Sequence, residues 1–218
     1  MGRAIRAARN FFPLAALKEP NAKNLSNRGI PMRRYSIVLI AVCGWLAGTA
    51  RAQMTNVPPT KLEAFEAQTG TVIVKGAGQV GSLGAGTVDI TVISKESREV
   101  SSGRKEYGLA IEADANNQRV WKKVVDDDEI DSLLGSLNYL SRIDYNVTAQ
   151  PTFVASYITK SGFRVGAFTS QRRGAIQFFL QDYSTNSGRI LITPTQLAQF
   201  QNLIEQARKN LDALRAAK

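Results

Sequence analysis

Two stretches of this sequence, 67 positions apart, carry the same hydrophobic pattern. Leu109, Ile111 and Ala113 fall on one face of a strand and map onto Ile176, Phe178 and Leu180. Ile130, Leu133, Leu137 and Leu140 recur at helical spacing and map onto Leu197, Phe200, Ile204 and Ala207. Asp126 and Glu129 map onto Thr193 and Gln196, which puts both helices in one capping-box frame. Strand, cap and helix agreeing at a single offset predict an internal repeat.

Each element in the repeat is apolar on one side only, so strands and helices must cover one another. The expected class is therefore α+β, with antiparallel sheets and helices gathered on one face. Thr60, followed by Glu63 and the apolar Leu62 and Phe65, predicts a short leading helix that Gly70 stops. Strands are expected at 71–75, 87–94, 105–113 and 119–125, then a helix over 126–141. The order recurs with strands at 152–160, 163–170, 174–182 and 189–192 and a long helix from Thr193. The chain reads as a tandem ββββα pseudo-repeat, about 71–145 and 150–218, with each helix pressing onto its own four strands.

A second beginning lies inside the chain. Arg33 and Arg34 precede an apolar run at 37–47, and Ala50-Arg51-Ala52 forms a small-x-small cleavage site before Gln53. The run spans only about 16 Å as a helix, too short for a bilayer core of about 30 Å. Residues 32–52 thus read as a cleaved secretory signal and 1–31 as an upstream extension, with an Arg-rich targeting presequence as the competing reading. The mature domain would run from 53 to 218, exported to the periplasm or outside the cell, with no stable membrane span after processing.

Cleavage changes what the charge means. The whole chain carries +10, which suggests a nucleic-acid partner. Nine of the 28 basic residues and one of the 18 acidic ones precede residue 53, so the mature part keeps 19 and 17, a net of +2. That balance argues against nucleic acid, because affinity there comes from many phosphate contacts. The single cysteine, Cys43, leaves with the signal. There is no histidine, which removes the commonest general base and zinc ligand and every Ser-His or Cys-His pair.

The element order resembles the tandem ββββα units of the Whirly and Pur-alpha single-stranded nucleic-acid binders. The resemblance lies in that order over the mature chain. No sequence motif of either family is present, so no residue role carries over. It implies a single-stranded nucleic-acid binder as the alternative function.

Candidate chemistry is sparse. GAGQVG at 76–81 has dinucleotide-loop spacing but lacks the following helix, so it reads as a glycine-rich connection between strands. DDDEID at 126–131 sits at a helix start, where acids cap free N–H groups; a weak calcium site is the other reading. Arg104, Lys105, Trp121, Lys123, Arg172, Arg173 and Phe179 combine basic strand ends with aromatics as a candidate binding face. A carboxylate-only hydrolase is a further alternative, but Glu112 and Asp114, neighbours on one strand face, are no evidence for it, since surface strands often carry such pairs. Leu211 and Leu214 extend the last helix's stripe and are expected to pack on the sheet edge, with a homodimer contact as the alternative. Asn146-Val147-Thr148 is a glycosylation triplet in a eukaryotic secretory path. The expectation is an exported, non-enzymatic binding or interaction protein without metal or cofactor. Its unknown protein or small-molecule ligand would be met in the envelope, on an uncovered sheet face.

Overall fold

The computed structural model describes residues 60–170, 175–185 and 187–217. The expected leader, its cleavage point at Ala52–Gln53 and the pair Arg172 and Arg173 lie outside the described residues.

Helix α1 (Lys61–Glu66) opens with the expected capping box. The Glu63 N–H donates to the Thr60 hydroxyl at 3.1 Å, and the Thr60 N–H donates to the Glu63 carboxylate at 3.0 Å. Four antiparallel strands follow: β1 (Ile73–Ala85), β2 (Val88–Glu99), β3 (Lys105–Ala115) and β4 (Gln118–Asp126), adjacent in that order. Asn116 and Asn117, with φ of 51° and 61°, turn β3 into β4 in the primed geometry that matches strand twist. A 3₁₀ turn (Asp127–Glu129) leads into α2 (Ile130–Ser141). A second meander comprises β5 (Val154–Ile158), β6 (Phe163–Ser170), β7 (Ala175–Asp182) and β8 (Ile190–Ile192), and α3 (Pro194–Ala216) closes the chain. The α+β class and the tandem order are as expected.

Positions 67 residues apart play the same part in the core. Ile130, Leu133, Leu137 and Leu140 of α2 are buried, as are Leu197, Phe200, Ile204 and Ala207 of α3. Leu109, Ile111 and Ala113 of β3 face the same cluster as Phe178 and Leu180 of β7, with Ile176 packed at its margin. Trp121 of β4 lies 5.9 Å from Phe163 of β6, and Phe163 lies 5.9 Å from Phe200 of α3, so both halves share one core.

The helices are exchanged, which corrects the expectation that each covers its own strands. Helix α3 lies across β1 and β2, and α2 lies against β5 and β6. Element length accounts for the exchange. The 23 residues of α3 span about 34 Å and match β1 and β2, whose 13 and 12 residues span about 40 Å. Among the described residues the second sheet's longest strands have eight residues, about 26 Å, and suit the 12-residue α2, about 18 Å long.

The glycine-rich stretch at 76–81 is also not a connection but the middle of β1, with a register shift between Gln79 and Gly81. Gly81 pairs with Val92 on the core face, and a Cβ there would sit 2.6 Å from Leu203 Cδ2. The missing side chains let α3 lie close on the edge strand. Leu211 completes the α3 stripe and is fully buried, whereas Leu214 is partly exposed beside Gly76 and Gly78.

Candidate functional site

The sheets share a core on their inner faces, which leaves their outer faces as the sheet surfaces open to a partner. The first sheet's outer face is occupied. Helix α1 packs on it: a Cβ at Gly108 would meet Leu62 Cδ2 at 3.0 Å, and Arg104 stacks 4.9 Å from the Phe65 ring. Glu66 reaches Lys95 and Ser97 of β2 and Lys75 of β1. Burial pushes the Glu66 carboxyl up, but hydrogen bonds from Lys95 and Ser97, with the Lys75 charge, outweigh it and hold it below the usual carboxylate range. Farther along β3, Glu112 pairs with Arg119 at 2.7 Å and Lys122 at 2.9 Å, and Asp114 pairs with Arg119 at 2.8 Å. Every carboxylate named on this face has its cation.

The acidic run at 126–131 works as a structural hub. The shared capping-box frame does not hold at α2, where neither Asp126 nor Glu129 makes a side-chain cap. Asp126 instead accepts from the N–H groups of Lys61 at 2.8 Å and Leu62 at 3.1 Å, capping α1 across the fold. Glu129 accepts the Lys160 N–H at 2.8 Å in the β5–β6 turn. Asp128 bridges Lys61 at 2.8 Å and Lys160 at 3.2 Å, and the Lys61 hydrogen bond holds its carboxyl below the usual range. Asp127 and Asp131 take Arg208 of α3, at 3.1 and 3.2 Å. Acids consumed by lysines, arginines and backbone N–H groups leave little for a cation. Among the described residues no acidic cluster has metal-site geometry.

The second sheet's outer face is different in kind. Its alternate residues are Val154, Ser156 and Ile158 of β5, Arg164, Gly166 and Phe168 of β6, Gln177, Phe179 and Gln181 of β7, and Leu191 of β8. None is acidic. At the 67-residue offset Glu112 becomes Phe179 and Asp114 becomes Gln181, so the carboxylates that neutralise the first face are gone. Phe179 lies against Gly166, where a Cβ would sit 2.7 Å from the ring, and meets Phe168 edge-on at 5.9 Å. Two guanidinium groups cover the rings. Arg189 is 4.6 Å from the Phe179 centroid and 5.0 Å from Phe168; Arg164 is 5.3 Å from Phe179 and 5.4 Å from Tyr183.

Neither arginine joins an ion pair or donates a hydrogen bond among the described residues, and Arg164 Nε is buried with no partner. Gln181, paired with Arg164 across the strands and 7% exposed, keeps Oε1 unpartnered while its Nε2 donates to the Ser187 carbonyl at 2.7 Å. Around this centre Val154, Ile158, Tyr183 and Leu191 stand largely exposed. No described helix covers the face.

Of the seven residues singled out from the sequence, the five that are described lie apart. Arg104 and Lys105 sit at the start of β3, on Phe65 and Glu96. Trp121 is in the core, and Lys123 reaches between the sheets to Asp182 at 2.8 Å and Ser184 at 2.6 Å. Arg172 and Arg173 are not described. Of the five, Phe179 alone belongs to the cationic-aromatic face. Arg164, Phe168, Arg189 and Leu191 escaped the sequence reading. The alternation of β6, with Arg164 and Phe168 opposite Phe163, Val165 and Ala167, was the signal that could have found two of them.

No protein-family model, curated protein or solved structure matches this chain. The likeness to the Whirly and Pur-alpha units therefore rests on element order alone.

Proposed function

We propose that this chain is an exported, non-enzymatic binding module, working in the periplasm or outside the cell, that takes its partner on the outer face of the second sheet. One observation carries the reading. This face joins two arginines without acids to four exposed apolar side chains, while its counterpart on the first sheet is closed by α1 and ion pairs. Large exposed apolar side chains around a polar centre mark interaction surfaces. Export rests on the signal at 32–52, and the secreted product is expected to begin at Gln53 by intact mass.

A single-stranded nucleic acid on the same face is the second reading, favoured by arginine beside aromatic rings. The hydrolase reading gains no support from Glu112 and Asp114, both on one strand, tied to Arg119 and not set across a cleft. A homodimer would use Leu214, the exposed end of the α3 stripe.

The test is capture of the partner by the mature form from its own envelope or culture fluid. The wild type and Thr91→Asp, on the first sheet's outer face, should retain the same partner, and Leu191→Asp should lose it. Equal retention by all three refutes the assignment of the face.

A further inference from the structure

We propose that the outer face of the second sheet docks an acidic protein segment, whose carboxylates lie against Arg164 and Arg189 and whose apolar side chains rest on Ile158 and Leu191. The inference rests on reading this face as the binding surface and names the chemistry of its partner.

Charge complementarity is the first argument. The guanidinium groups of Arg164 and Arg189 converge on one ring, Phe179, at 5.3 and 4.6 Å. Two like charges so placed repel, and elsewhere in this fold arginines meet carboxylates: Arg119 takes Glu112 and Asp114, and Arg208 takes Asp127 and Asp131. Here the equivalent acids are replaced by Phe179 and Gln181. Stacking on a ring consumes none of the five guanidinium N–H donors, so both forks keep their capacity for a planar oxyanion. The buried, unpartnered Nε of Arg164 is one such donor left without an acceptor. A carboxylate supplied from outside accepts from the exposed Arg189 guanidinium and neutralises the pair.

The character of the rest of the face selects protein over nucleic acid. Phe179 is fully buried under the two guanidinium groups and Phe168 is half-buried, so neither ring offers a free surface for a base. Affinity for a phosphodiester chain comes from many phosphate contacts, and the described face holds two cations. Ile158 and Leu191, about 41% and 51% exposed, flank the arginines and offer contacts that apolar side chains fill and phosphates do not. The rigid rings beneath also fix the arginines in place, which lowers the ordering cost of binding.

The experiment uses the mature chain, residues 53–218, with defined probes followed by calorimetry. These are a synthetic decapeptide of glutamate and leucine, its counterpart with glutamine for glutamate, an oligothymidylate, and phosphatidylglycerol vesicles. The acidic peptide should bind most tightly, weaken with added salt, and lose at least about tenfold with the glutamine counterpart or with the Arg164→Gln/Arg189→Gln double variant. Arg189 is exposed, so Arg189→Gln alone keeps the test open should the double variant unfold. Tighter binding of oligothymidylate or vesicles than of the acidic peptide overturns the proposal, as does acidic-peptide binding indifferent to the arginine variants. If no acidic peptide binds while Leu191→Asp still abolishes partner capture, the chemical class is wrong and the face stands. If Leu191→Asp is also silent, the reading of the face falls with it.

Discussion

Leu203 of α3 rests on Gly81 of β1, and a Cβ at position 81 would lie 2.6 Å from Leu203 Cδ2. The contact joins the last helix of the second half to the first strand of the first. Together with α2 against β5 and β6, it interlocks the halves, so neither sheet keeps its lid without the other half.

Interlocked halves should unfold as one. Trp121, the only tryptophan after Gln53, packs on Phe163 of the opposite sheet and reports on the shared core. Its fluorescence and the far-UV circular dichroism should trace a single coincident urea transition. Two separated transitions would mean that the halves fold independently.

Core truncations on either helix should be severe. Leu133→Ala is expected to cost about 2–5 kcal/mol and Phe200→Ala about 3–5 kcal/mol, against a total of about 5–15 kcal/mol. Leu214→Ala, at a partly exposed site, should leave the denaturation midpoint nearly unchanged. A Phe200→Ala midpoint close to wild type would contradict the place given to α3.

The glycines should differ in tolerance. At Gly81 a new methyl meets the flexible end of Leu203, which can rotate away. At Gly166 it meets the Ala155 carbonyl at 2.5 Å and the Phe179 ring at 2.7 Å, neither free to move. Gly166→Ala should cost about 1–3 kcal/mol, clearly more than Gly81→Ala, in denaturant titrations. It should also displace Phe179 and weaken acidic-peptide binding.

Acid should open the bridge between the sheets. Burial pushes the Asp182 carboxyl up, but hydrogen bonds from Lys123, Ser184 and Thr185 outweigh it and set it below its ordinary value. A folded-state pKa below the unfolded one gives stability that is present above about pH 4 and lost as pH falls through the folded value. Denaturation midpoints should therefore decline below about pH 4 in the wild type, and less steeply in an already weakened Asp182→Asn. Equal slopes would remove Asp182 from the account.

The strands, helices and core residues were legible in the sequence because alternation and helical spacing record which side of an element is buried. They do not record what buries it. The spacing of Leu197, Phe200 and Ile204 is satisfied by either sheet, and helix and strand length chose between them. The acid run misled for a related reason. Asp126 at a helix start looks like a cap for that helix, yet its carboxylate caps α1, some 65 residues earlier in the chain. The cationic-aromatic face was hidden because Phe179 and Arg189 meet only through strand pairing, although the exchange of Glu112 for Phe179 at the repeat offset was already visible.

The central claim is that the second sheet's outer face receives a partner and the first sheet's does not. A photo-crosslinking amino acid at Leu191, with a matched one at Thr91, tests it in the living cell or its secreted fraction. Both sites lie on outer strand faces, one on each sheet. The account predicts a discrete, ultraviolet-dependent adduct from position 191 that Arg189→Gln diminishes, and none from position 91. An adduct from position 91 with position 191 silent would contradict it.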